Sequence, residues 1–140
     1  MTKYLDYREL DVWKVARELC SETYSITGAF PKTEIFSLTT QIRKSSISIP
    51  SNIAEGCGRN TSKDTLQFLF IARGSLYELE TQFLIAADQK YFSIEDLESI
   101  LEKIVKCRKL LSGFISYFQK QVTAGNHQPT TGNRQQATKK

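Results

Sequence analysis

Apolar residues recur along this chain at helical spacing, in four separate runs. In the first, about Glu9 to Ile26, Leu10, Trp13, Ala16, Cys20 and Tyr24 share one side, and Val12, Val15, Leu19 and Ile26 widen it. Gly28 and Pro31 punctuate its end. The second is predicted over about Thr33 to Cys57, with Leu38, Ile42, Ile49 and Ile53 as a narrow apolar stripe. Gly56 and Gly58, suited to left-handed caps, stop it. The third starts after Asn60-Thr61-Ser62, with Thr61 or Ser62 as N-cap, and continues to about Gln89. Its Leu69, Ala72, Leu76, Leu79, Phe83 and Ala86 step by three and four, which is a bundle seam. The fourth begins at Ser93 and repeats that step through Leu97, Ile100, Ile104, Cys107, Leu111, Phe114 and Phe118. Short connections favour antiparallel neighbours. The pattern predicts an all-α, antiparallel up-and-down four-helix bundle over 1–122 and a disordered polar tail over 123–140.

Two of these runs hold more than a core requires. The third carries further apolar sets, Leu66, Phe70, Tyr77 and Leu84 on one flank and Phe68, Ile71 and Ile85 on the other. That circumference argues for a central helix or an intersubunit surface. Gly74 costs about 1 kcal/mol of helix propensity against Ala, which close approach by a neighbouring helix would explain.

The second run has a polar stripe of Gln41, Lys44, Ser48, Asn52, Glu55 and Arg59. No acid occurs between Glu34 and Glu55, while Arg43 and Lys44 are adjacent. Pro50 removes one backbone donor and frees the Ser46 carbonyl, so a kink is expected, with nearby serines bonding the loosened backbone. A cationic face rich in hydroxyls and amides suits a polyanion. Arg43, Lys44, Arg59, Lys63 and Arg73 are the candidate phosphate contacts, and Asn52 with Ser48 would add hydrogen bonds. Against this, Arg43 or Arg73 could pair with Glu55, Glu78 or Glu80; for Arg73 and Glu78, inside the apolar third run, ion pairing is the better reading. Trp13 with Tyr7 reads as core packing rather than base stacking.

Charge adds little. The formal net charge is +4, but 122–140 holds Arg134, Lys139 and Lys140 without an acid, which leaves the bundle at only +1. Catalytic chemistry is not expected. The single histidine, His127, lies in the polar tail, and Glu78 and Glu80, two apart on a helix, point away from each other. Nothing suggests a metal or other cofactor. Cys20, Cys57 and Cys107 lack metal-ligand or redox spacing and read as free thiols in a reducing cytoplasm. The N-terminus lacks the apolar core of a signal peptide, and no apolar run is long enough to span a membrane.

The stretch Gln41–Gly56 resembles the signature of the 23S rRNA intervening-sequence protein family. Tyr7-Arg8-Glu9-Leu10-Asp11-Val12-Trp13 resembles the start of that family's first helix, and Phe30-Pro31 its first inter-helix turn. Ile71 to Gln82 resembles the third-helix signature, and Gly58-Arg59 follows the second helix as in the family. The resemblance spans Tyr7 to Gln121, with Cys57 standing where an aromatic is usual. It implies a bacterial four-helix bundle that assembles into a homopentameric ring. Some members are encoded inside insertions in 23S rRNA genes. Similar bundles serve diversity-generating retroelements as accessory proteins, partnering a reverse transcriptase and nucleic acid. The resemblance thus implies either RNA or DNA binding, or an adaptor role toward a protein such as a reverse transcriptase.

Overall fold

The chain enters its first helix through a tight turn at Tyr7–Glu9, which Asp6 caps by accepting from the Arg8 backbone N–H at 3.0 Å. In the computed structural model, which describes residues 6–125, four α-helices follow: α1 Asp11–Thr27, α2 Leu38–Cys57, α3 Ser62–Asp88 and α4 Ile94–Gly125. The α1 backbone packs beside α2 and α4, and α3 does the same from the opposite corner. The diagonal pairs stay apart, so the order is an up-and-down four-helix bundle. The helix α4 runs three residues beyond the expected domain limit of 122; most of the expected disordered tail, 126–140, lies outside the described residues.

The helix starts follow their local chemistry. Thr61 accepts from the Asp64 N–H at 3.1 Å and Ser93 from the Asp96 N–H at 3.1 Å, so α3 and α4 begin where their caps were expected. The helix α2 does not. It opens at Leu38 rather than near Thr33, because Lys32–Glu34 forms a separate 3-10 turn. The Glu34 carboxylate then reaches forward, accepting from Ser37 Oγ at 2.7 Å and from the Leu38 N–H at 3.4 Å. Tyr91 donates to its other oxygen at 2.9 Å, and these bonds, Ser37 foremost, hold Glu34 below the usual carboxylate range. A carboxylate at the positive end of α2 also suits the helix dipole.

The ends of α2 and α3 correct a second expectation. Gly58 follows α2 at φ −89°, so no left-handed cap is formed there. Gly56 is needed for another reason: a Cβ on it would lie 3.1 Å from the Thr65 carbonyl oxygen and 3.2 Å from Phe68 Cβ. Thr65 Oγ1 also donates to the Gly56 carbonyl at 2.8 Å, locking α2 against the first turn of α3. The left-handed residue is Lys90, at φ 61° after α3. There the Tyr91 N–H bonds the Ala86 carbonyl at 3.1 Å and the Lys90 N–H bonds that of Ala87 at 2.9 Å, a Schellman ending.

The α3 seam is buried throughout, from Leu69 to Ala86. In α4 the buried row holds from Ile100 to Leu111, then passes to Ile115 while Phe114 is only partly covered. A straight helix drifts ~20° per heptad against a strict repeat, which accounts for the change. The inner face of α1 is centred on Val12, Val15, Ala16, Leu19 and Ile26, not on Trp13, Cys20 and Tyr24. Cys20 and Tyr24 lie on the flank toward α2, and Trp13 packs against Tyr7 and Arg17.

Candidate nucleic-acid interface

The helix α2 runs unbroken through Pro50. The carbonyl that Pro50 leaves without a donor, that of Ser46, accepts from the Cys20 thiol of α1 at 3.0 Å rather than from a serine. Ser46 Oγ donates instead to the Arg43 carbonyl at 2.8 Å. Burial raises the Cys20 thiol pKa, and it pushes those of Cys57 and Cys107 up to about 12; all three are unpaired thiols.

The polar stripe of α2 divides between solvent and its neighbours. Arg43 turns to α1, where Nε donates to Thr27 Oγ1 at 2.9 Å and the guanidinium lies 4.6 Å from the centre of the Tyr24 ring. Ser48 turns to α3 and shares a hydrogen bond of 2.7 Å with Ser75 Oγ. Asn52 donates to the Ser48 carbonyl at 2.8 Å and to Ser48 Oγ at 3.0 Å. Arg59 pairs with Glu55 one turn back and stacks on Phe68, 4.4 Å from its centre. Lys44, on α2, and Lys63, in the first turn of α3, are exposed and have no ion pair among the described residues. The five candidate residues therefore do not form one continuous array of unengaged donors. Two are open cations, one is a paired cation at the rim, and Arg43 and Asn52 also serve the helix packing.

The ion pairs expected on α3 are replaced by another contact. Arg73 lies over the Phe70 ring at 5.0 Å, and neither Arg73 nor Glu78 forms a salt bridge among the described residues. Glu80 pairs with Arg108 of α4 at 3.6 Å, and that guanidinium also sits 5.9 Å from the Tyr77 ring. Arg17 stacks likewise on Trp13 at 5.4 Å, while Tyr7 meets the same indole edge-on at 5.3 Å. Among the described residues, five arginines thus rest on aromatic faces. The sequence signal for this was present on α1 and α3 as arginines placed one turn from aromatics, but the partners from neighbouring helices had no local signature.

Outward of the α3 seam the surface stays apolar. Phe70, Ile71, Tyr77, Leu84 and Ile85 are all exposed, and a Cβ on Gly74 would meet nothing within 4 Å. The close neighbour expected at Gly74 is therefore not another helix of the same chain. Among the described residues no cluster of three His, Cys, Asp or Glu could hold a metal ion, and no helix is long and apolar enough to cross a membrane.

The family described as 23S rRNA-intervening sequence protein matches residues 8–113. Among solved structures, the chain is similar to that of a protein with unknown function from the S23 ribosomal protein family of Bacteroides thetaiotaomicron VPI-5482. The two are 25% identical with a TM-score of 0.69, over 74% of this chain and 97% of that one. No curated protein matches the chain.

Proposed function

Because the chain belongs to the 23S rRNA-intervening sequence protein family, we propose that it acts as a non-enzymatic, ring-forming four-helix bundle, a homopentamer, that binds nucleic acid through a basic surface. The observation that carries the assembly is the exposed apolar face of α3, where a solvated helix would be polar. Lys44, Lys63 and Arg59 are the cations that would meet phosphates, with Arg43 and Asn52 bracing α2, the helix that carries Lys44. One copy offers few contacts. A ring repeats them, and multivalency raises avidity without adding any new contact. Unpaired thiols favour a reducing, cytoplasmic setting.

The test is RNA and DNA binding over a salt series. Lys44→Glu with Arg59→Glu is expected to weaken binding at least tenfold while helicity and particle mass stay unchanged. Each lost phosphate contact should also lower the slope of log affinity against log salt by about 0.7–0.9. Lys139→Glu with Lys140→Glu is the control for the basic C-terminal segment. If only that control abolishes binding, the helical face is solvated surface. The apolar α3 face would then favour the second reading, an adaptor for a protein such as a reverse transcriptase.

A further inference from the structure

We propose that copies of this chain join head to tail, the outward face of α3 on one copy seating on the α1–α2 face of the next. The inference rests on the assembly reading above and names the two surfaces that meet.

The first surface is a second heptad row. Ile71, Gly74, Glu78, Thr81 and Ile85 step by three and four on the side of α3 opposite the buried seam. Tyr77, 50% exposed, and Leu84 flank it. A glycine in mid-helix is unfavourable, and among the described residues nothing approaches Gly74 that would require one. It leaves a hollow in an apolar ridge, the shape that receives a side chain from another helix.

The second surface lies between α1 and α2. Tyr24 and Ile47 are 44% and 45% exposed, and Phe36, just before α2 at the same end of the bundle, is 94% exposed. One pair of opposite charges can meet across the two surfaces. Glu78 has no ion pair among the described residues, whereas Arg17 and Arg43 stack on aromatic rings and have no carboxylate partner there. The surfaces sit on different sides, since α1 and α3 do not touch. A two-fold contact of α3 with α3 would cover one surface and leave the other in water. A head-to-tail contact covers both, and it is also the type that closes rings.

Ile71→Arg and Ile47→Arg place a charge on one surface each, at positions already 51% and 45% exposed. By light scattering each variant alone is expected to run as a monomer of 16.0 kDa. The mixture should give a particle of twice that mass, because each partner still offers one intact surface. Phe36→Asp replaces Ile47→Arg if circular dichroism shows the latter unfolded. Should the α1–α2 variant retain the wild-type mass, or the mixture stay monomeric, the pairing of these two surfaces is wrong while assembly stands. Were the wild type itself monomeric, the assembly reading would fail too.

Discussion

At Ser46 the α2 backbone has lost a donor, because the residue four positions on is proline and carries no N–H. Cys20 of α1 fills the gap with a thiol, a weak donor in a place where water has little access. Cys20→Ala should therefore cost about 1 kcal/mol beyond its lost packing, the penalty of stranding a carbonyl. Introducing Pro50→Ala restores a backbone N–H, so the cost of Cys20→Ala should shrink by about that amount in this background. A denaturant double-mutant cycle measures it; equal costs in both backgrounds would show that the thiol is only filler. The thiols also set a limit in alkali. In the fold Cys57 and Cys107 keep their protons to about pH 12, whereas the unfolded chain releases them near its ordinary thiol value of 9.0. Between those values the native state binds more protons, so stability falls as pH rises, by about 1.4 kcal/mol per pH unit for each thiol. Replacing both by alanine should flatten that alkaline slope, whatever it does to stability at pH 7.

For whole elements, what could be read in advance was what depends on periodicity alone. The α3 seam was legible because six apolar residues at strict spacing leave one face to bury. Leu76→Ala should destabilise by about 2–5 kcal/mol, while Leu84→Ala on the outward face should cost the dissociated chain under about 0.5 kcal/mol. Similar losses at both would place the seam elsewhere. The start of α2 was not legible, because its cap is Glu34, a carboxylate outside the helix and itself held by Tyr91 from 57 residues away. Nor did sequence identify Lys90 as the left-handed residue ending α3, since the conspicuous glycines lay elsewhere. Lys90→Gly should raise stability by about 1 kcal/mol, seen as a higher melting midpoint, by relieving the Cβ crowding of that conformation. A lower midpoint would mean that the lysine stem packs usefully.

In the whole molecule, the candidate site was only partly written in the α2 pattern. Lys44 could be placed in solvent from the stripe it occupies. The inward turn of Arg43 could not, because it depends on Tyr24 and Thr27 arriving from α1. The closed cycle of helix neighbours explains both outcomes: each flank of α2 faces a different helix, and only its outermost row is left to solvent. The apolar outer face of α3 has a further thermodynamic consequence. If that surface is covered only on association, the stability of the fold depends on how much protein is in the tube, since partner binding favours the native state by mass action. Melting midpoints should fall on serial dilution, and the most dilute samples should unfold at the midpoint of the Ile71→Arg variant.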